Sequence, residues 1–227
     1  MRSARKLFYF GLIAAAFILS RPADAQDLKT VLQRLDAAAR GFTNVTANFE
    51  FDTIQTNPVP DTDIMTGVIY YQRSGGHFQM AAHAKERGDD SVKHPSANTY
   101  IFSGGVLRQS DTGKASDAHT IDRASKYESY FMLGFGASGK DLEDKWDITY
   151  AGTEKVDGVT TDKLELVAKD PAVRKNVPKV TLWMDTAHAV SLKQVFDEGD
   201  GNSRVSHYTN IKFAQPSLPA NAFSFDK

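Results

Sequence analysis

The sequence predicts a mainly β protein with some α-helix, in which one large antiparallel sheet has an apolar face that short helices cover as a lid. Three observations predict this fold class. Most of the chain alternates apolar and polar residues, glycine-rich turns separate the alternating segments, and only two segments show helical spacing. Because a sheet with one apolar face must bury that face, we expect the two helices to lie against it.

The first 25 residues predict a cleavable signal peptide. Basic residues at positions 2, 5 and 6 precede an apolar run at residues 7–19. Ala23-Asp24-Ala25 then supplies a small-x-small cleavage site, so we expect the mature chain to begin at Gln26. The apolar run is shorter than the roughly 20 residues that a membrane-spanning helix needs. The sequence therefore predicts an exported protein with a single domain at residues 26–227.

Composition narrows the classes of function. The chain contains no cysteine, which excludes both a lipidated cysteine after the signal peptide and disulfide bonds. Stability must therefore come from a packed core. The formal net charge of −1 gives no basic surface for nucleic acid and no polybasic stripe for anionic lipid.

The first predicted helix covers residues 28–40. Leu28, Val31, Leu32 and Leu35 recur at helical spacing, and Gly41 stands where a C-terminal cap belongs. One apolar face of this helix is thus available to pack against the sheet.

The predicted strands follow, with turns at Ser103-Gly104-Gly105, Asp157-Gly158 and Asp200-Gly201-Asn202 among them. Strands joined by such tight turns are antiparallel neighbours. Residues 85–96 and 110–118 are polar and predict solvated loops. The predicted strand segments are residues 45–56, 65–73, 77–83, 98–109, 146–156, 160–169, 179–185 and 190–213.

The second predicted helix lies in the segment SKYESYFMLGFG, residues 125–136. Ser125 and Glu128 stand in the capping-box relation, and Gly134 or Gly136 can end the helix. Such a short helix holds only by packing, so it favours a lid that also forms a cavity wall over a permanent part of the core. Its apolar side chains are Tyr127, Tyr130, Phe131, Met132, Leu133 and Phe135.

No motif in the sequence predicts catalysis, so we expect a protein that is not an enzyme and uses no cofactor. His77 and His83 project to one face of a strand, with Asp89, Asp90 and His94 nearby, but no spacing forces a metal site. There is no Gly-x-Ser-x-Gly elbow and no phosphate-binding glycine loop. The stretch GDGN at residues 199–202 lacks the rest of a calcium loop and predicts a hairpin turn.

Strand alternation brings several large side chains to common faces. Phe49 and Phe51 share one face of their strand, and Ile69, Tyr71 and Arg73 share one face of the next. Alternation alone leaves open which face this second set takes. An arginine on the inner face would need hydrogen-bond acceptors, whereas one on the outer face would meet solvent.

Four segments resemble the periplasmic outer-membrane lipoprotein carriers of the LolA family. TGVIYYQRSGGHFQM is similar to the second and third strands of the family, and NTYIFSGGVLRQ is similar to its next hairpin. YFMLGFGASGKDLEDKWDIT resembles its central helix and following strand. The closing stretch from TLWMD to the final F-x-F resembles the family's last strands. Together the resemblance covers nearly the whole predicted mature chain.

The resemblance implies an incomplete, half-open antiparallel barrel with helices over its mouth and a cavity for the acyl chains of lipoproteins. It implies that Arg73 points inward and holds the lid closed until loading. Ser74 follows Arg73 where the family often has proline, and the sequence ends at Lys227 without the C-terminal extension of proteobacterial carriers. The cavity residues it implies are Phe49, Phe51, Ile69, Tyr71, Tyr127, Tyr130, Phe131, Met132 and Phe135.

The function implied is that of a monomeric periplasmic carrier that shuttles lipoproteins from the inner to the outer membrane. Its partners would be lipid-modified proteins as cargo, an inner-membrane releasing complex and an outer-membrane acceptor. Two alternatives stay open. One is a related carrier or sensor that binds free glycolipid or another hydrophobic ligand, and the other is an exported hydrolase.

Overall fold

A computed structural model of the chain describes residues 23–74, 77–121 and 133–226, and its main element is a 12-stranded antiparallel sheet. The strands are β1 (Asn44–Gln55), β2 (Asp61–Ser74), β3 (His77–Gly88), β4 (Lys93–Pro95), β5 (Thr99–Ser103), β6 (Val106–Ser110), β7 (His119–Ile121), β8 (Trp146–Val156), β9 (Val159–Ala168), β10 (Lys179–Asp185), β11 (Val190–Gly199) and β12 (Asn202–Phe213).

The sheet is an open half-barrel. Its strands follow the order β7-β6-β5-β3-β2-β1-β12-β11-β10-β9-β8, with β4 paired to β3 beside this path. The first and last strands of that order, β7 and β8, do not pair with each other among the residues described. The mainly β, incomplete barrel predicted from the sequence is confirmed.

The hairpins explain the antiparallel order. Asp157-Gly158 joins β8 to β9 and Asp200-Gly201 joins β11 to β12, and all four residues have positive φ. Two successive residues with positive φ form the type I′ turn, whose twist matches that of paired strands. The turns predicted at these two positions are therefore hairpin turns in the fold.

Within the described residues three α-helices accompany the sheet: α1 (Ala23–Gly41), α2 (Gly139–Lys145) and α3 (Pro171–Asn176). The helix predicted at residues 28–40 is confirmed as α1, which starts at the predicted cleavage site. The rest of the predicted signal peptide, residues 1–22, lies outside the described residues. Within the three described ranges, no helix has both the length and the hydrophobicity needed to cross a membrane.

Helix α1 fills one half of the inner face of the sheet. Val31, Leu32 and Leu35 are at most 5% exposed and pack against side chains of β9 and β10 such as Leu164 and Leu182. Helix α2 lies beside α1, and a Cβ atom at its first residue, Gly139, would come within 2.5 Å of the Leu32 carbonyl oxygen. This half of the half-barrel is solid core.

A buried carboxylate ties α1 to the sheet. Asp162 of β9 accepts hydrogen bonds from Arg34 of α1 at 2.9 Å, from Thr186 at 2.9 Å and from Tyr150 at 3.2 Å. The Asp162 side chain is 8% exposed, so its charge is compensated inside the fold and not by water. Helix α1 is therefore a fixed cover of the sheet.

The chain crosses the inner face at residues 133–137, between the last strand of one edge and the first strand of the other. Backbone hydrogen bonds join Gly136 to Ala189 at 2.8 Å and Gly134 to Ser191 at 2.6 Å. Phe135 is fully buried. The end of the predicted lid segment is therefore buried in this structure, whereas residues 125–132 of that segment lie outside the described residues.

The C-terminal segment covers part of the outer face. Phe225 packs against Ala81 and Ile101 of β3 and β5, and the His83 imidazole Nε2 donates a 2.7 Å hydrogen bond to the Ala222 carbonyl. His83 is 1% exposed. This histidine thus has a structural role in attaching the C-terminal segment to β3.

One loop prediction is wrong. Residues 85–96 were expected to be a solvated loop, but β3 continues through Lys85 to Gly88 and β4 pairs with it. The polar side chains of this stretch are largely exposed, as expected. The polar composition of residues 85–96 therefore predicted the exposure of their side chains correctly but predicted a loop where the backbone forms strands.

Candidate functional site

The half of the inner face that α1 leaves uncovered contains a cavity of about 760 Å³. Its walls are the inner side chains of β1, β2, β3, β11 and β12, together with β5 to β7 at one edge and the end of α3 on the opposite side. The volume lies within the roughly 300–1,000 Å³ range of small-molecule binding sites. The cavity is therefore large enough for a ligand.

Most of the lining is apolar and comes from inward positions of neighbouring strands. Met65, Ile69 and Tyr71 alternate along β2 into the cavity, since every second residue of a strand faces the same side. The other apolar lining residues are Phe51, Met80, Ala82, Tyr100, Leu107, Ile121, Val177, Phe196, Val205 and Tyr208.

Aromatic rings close the apolar end. The Phe135 ring stacks on Tyr71 with centroids 3.7 Å apart and meets Tyr208 edge-on at 4.8 Å. The Tyr71 and Tyr208 hydroxyls hydrogen-bond to each other. Burial, and then the neighbouring Tyr208, raises the pKa of Tyr71 well above its usual value, and burial raises the pKa of Tyr208 to about 12. These hydroxyls stay protonated and uncharged at neutral pH.

Two ion pairs mark the opposite end of the cavity. Arg87 of β3 donates from Nε to both carboxylate oxygens of Asp63 at 2.8 and 3.1 Å. Arg204 of β12 lies 2.7 Å from the carboxylate of Glu198. All four side chains line the cavity and are partly exposed. The cavity therefore has one apolar end and one polar end.

The predicted cavity residues fall into four groups. Phe51, Ile69 and Tyr71 line the cavity. Phe49 stacks on Phe51 at 4.2 Å and is 3% exposed, and it borders a smaller cleft of about 290 Å³ instead. Phe135 lies behind Tyr71 in the core. The remaining predicted residues, Tyr127, Tyr130, Phe131 and Met132, lie outside the described residues.

Arg73 lies at the end of β2, beyond the stack of Tyr71 and Phe135. Its alternation with Tyr71 places it on the inner side of the sheet. Burial is the strongest single effect on the pKa of Asp141 in α2, and it acts to raise that pKa. Hydrogen bonds from Ser138 and the charge of Arg73 act in the opposite direction, and the pKa of Asp141 is lowered overall. Arg73 is thus electrostatically coupled to a helix over the inner face, and its action as a lid latch stays a prediction.

Several lining residues were not predicted. Met80, Phe196 and Tyr208 follow the same alternation as the predicted residues, so strand parity could have found them once the pairing was known. The ion pairs join residues of different strands and have no local sequence signal. In the part of the chain that the structure describes, no three histidine, aspartate or glutamate residues come together to hold a metal ion.

No protein-family model matches the chain, and no curated protein sequence matches it. Solved structures do match. The crystal structure of MucB has a TM-score of 0.52 at 16% identity, and the match covers 88% of this chain and 65% of that one. This chain thus spans just under two thirds of the MucB chain.

Two further matches have lower scores. A putative outer membrane lipoprotein-sorting protein domain from Vibrio parahaemolyticus has a TM-score of 0.45 at 16% identity, over 88% of this chain and 97% of that one. The LolA superfamily protein NE2245 from Nitrosomonas europaea has a TM-score of 0.38 at 14% identity, over 87% and 97%. The chain shares its fold with MucB, whose TM-score is 0.52. At these identities the likeness extends to the fold alone.

Proposed function

We propose that the protein is a periplasmic carrier that binds the acyl chains of lipoproteins in this cavity and moves them from the inner to the outer membrane. The observation that carries the proposal is the cavity itself, which is apolar at one end, polar at the other and built on rigid strands. Burial of acyl chains contributes about 0.8 kcal/mol for each methylene group, so binding needs no covalent chemistry and no cofactor.

The parts of the fold that are held in place are consistent with a carrier. Helix α1 is held by Asp162 and by core packing, and residues 133–137 are held by hydrogen bonds to β11. Neither α1 nor residues 133–137 line the cavity, so they brace the sheet that forms its walls. A carrier can release its cargo only if its affinity for that cargo is modest. A partly polar cavity keeps the affinity modest, because burying hydrocarbon at its polar end contributes little binding free energy.

Titration of the mature protein with an environment-sensitive fluorescent acyl probe tests the proposal. We expect saturable binding that is weaker in Met65→Trp, because the larger side chain would occupy part of the cavity from β2. Val106→Trp is the matched control, since Val106 is 44% exposed and lies outside the lining. Probe binding that is absent, or that survives in Met65→Trp as fully as in the control, would contradict the proposal.

The match to MucB favours a second candidate function. MucB has been solved in complex with MucA, so a half-barrel of this fold can bind a protein partner. A sensor that signals through a protein partner would bind acyl groups without passing them on. Incubation of acyl-loaded protein with acceptor membranes separates the two, because a carrier transfers its cargo and a sensor retains it.

A further inference from the structure

The two ends of the cavity lie far apart along the strands. Asp63 and Tyr71 stand near opposite ends of β2 on one face, which corresponds to roughly 25 Å at about 3.3 Å per residue. An acyl chain gains most by contacting the apolar end, around Tyr71 and Ile69. The group to which the chain is attached then lies among the polar side chains at the other end.

Each guanidinium at the polar end already has an acidic partner. Asp63 engages Arg87 through both carboxylate oxygens, and Glu198 engages Arg204. Asp52 borders the same cavity and adds a third carboxylate, although its alternation with Glu50 directs its side chain toward the outer face. Without Asp52, the net charge of the described lining at this end is neutral. With Asp52 included, the net charge is negative.

A phosphate would meet an unfavourable site here. It would have to share an arginine with a carboxylate and remain close to that carboxylate, and like charges repel at this range. An uncharged amide or ester faces no such conflict. It can accept from a guanidinium N–H that the carboxylate leaves free and donate to a carboxylate oxygen, and Thr53 and Asn176 add uncharged polar groups to the lining.

We propose that this cavity selects acylated ligands whose head group carries no net negative charge, with that head group placed between the Asp63–Arg87 and Glu198–Arg204 pairs. The inference rests on the proposed function and narrows its cargo. Acyl chains on the uncharged, amide-linked terminus of a lipid-modified protein fit this site. Phosphate-bearing glycolipids and phospholipids fit it poorly.

Displacement of the fluorescent acyl probe by ligands with matched acyl chains tests the selection. The ligands are a diacylated cysteinyl peptide with blocked termini and no charged side chain, and phosphatidic acid. We expect the peptide to bind at least ten-fold more tightly to the wild-type protein. We also expect added salt to strengthen phosphatidic acid binding, because screening weakens repulsion. Equal or tighter binding of phosphatidic acid, or weakening by salt, would overturn the inference.

A double variant tests the role of the two carboxylates. Asp63→Asn combined with Glu198→Gln frees both guanidinium groups and should narrow the ten-fold preference by at least five-fold. Glu154→Gln combined with Glu165→Gln makes the same charge change at two ion pairs outside the cavity and should leave the preference unchanged. An equal shift in both double variants overturns the inference. Complete absence of probe binding to the wild type instead overturns the proposed function on which it rests.

Discussion

Phe135 lies face to face on Tyr71, with ring centroids 3.7 Å apart and ring planes at 10°. Phe135 belongs to the segment that crosses the inner face, and Tyr71 belongs to the strand that forms the floor of the cavity. The contact therefore joins the crossing segment to the sheet at the apolar end of the cavity. Both rings are buried, so the stack contributes to stability as well as to shape.

Truncation of this stack should cost most of the packing energy of a buried aromatic residue. We expect Phe135→Ala to lower the free energy of unfolding by about 3–5 kcal/mol, measured by urea denaturation followed by circular dichroism. Val106→Ala is the control, because an exposed side chain away from special contacts changes stability by about 0.5 kcal/mol or less. A loss below about 1 kcal/mol in Phe135→Ala would show that the stack is not part of the core.

Gly134 is required both by its backbone conformation and by the space around it. Its φ is +77°, and a Cβ atom there would lie 2.4 Å from the Ser191 Cβ atom. Gly152 has a φ of +89° and no atom within 4 Å of the same position. We expect Gly152→Ala to cost about 1–2 kcal/mol for the left-handed conformation alone, and Gly134→Ala to cost at least about 1 kcal/mol more. Equal losses of unfolding free energy would contradict the close packing of the crossing segment on β11.

Asp162 should be more important to stability than an exposed carboxylate of the same strand. Asp162→Ala leaves three donors without their acceptor, and we expect a loss of about 1–3 kcal/mol of unfolding free energy. Glu165→Ala breaks only a surface ion pair with Lys179 and should cost at most about 1 kcal/mol. Faster hydrogen exchange in α1 of the first variant, and not of the second, would confirm that Asp162 fixes the helix.

Asp52 should destabilise the protein at neutral pH. Burial, followed by the charge of Glu50, raises the pKa of Asp52 above 3.8, so the folded state holds this proton more tightly than the unfolded state does. Stability from this group is therefore present below pH 3.8 and is lost as the pH rises through the folded-state pKa. We expect Asp52→Asn to raise the urea midpoint at pH 7 but not at pH 3.

Asp89 provides a comparison of opposite sign. Hydrogen bonds from the hydroxyl of Ser91 and from two backbone N–H groups lower the pKa of Asp89 to about 2, so this carboxylate stabilises the fold above pH 3.8 and loses that effect as the pH falls through about 2. We expect Asp89→Asn to lower the urea midpoint at pH 7. Shifts of the same sign in Asp52→Asn and Asp89→Asn would contradict burial as the cause at Asp52 or hydrogen bonding as the cause at Asp89.

Arg73 should act on release and not on binding. We expect Arg73→Leu to bind the acyl probe as tightly as the wild type or more tightly, and to transfer lipoprotein to acceptor membranes more slowly. Arg40→Leu, at the exposed end of α1, removes an equal charge and should leave transfer unchanged. A normal transfer rate in Arg73→Leu would contradict the predicted role of Arg73 as a lid latch.

The sequence predicted the sheet because its signals are local. Alternation in β1 and β2 spans whole strands, and turns such as Asp157-Gly158 demand positive φ, so each segment carries its own evidence. Strands β4 and β7 have only three residues each, which is too few to show a period. Helix α3 has six residues and none of them buried, so it shows no apolar face either.

The cavity was predictable only in part. Phe51 and Phe135 are the same residue type in apolar segments, yet one lines the cavity and the other is core, because the crossing of residues 133–137 over the inner face decides between them. Asp63 and Arg87 pair across two strands with a register shift between them, which no sequence spacing encodes. Alternation along a strand predicts which face of the sheet a side chain lies on. The contacts of that side chain with other strands follow only from the assembled sheet.

Native mass spectrometry of the mature protein purified from its own cell envelope tests the central claim most directly. We expect a bound mass that fragments into an acylated polypeptide, that is retained in Val106→Trp, and that is reduced in Met65→Trp, in which part of the cavity is occupied. A bound mass that consists only of free phospholipid or glycolipid, or that is undiminished in Met65→Trp, would contradict the account of this cavity as a lipoprotein site.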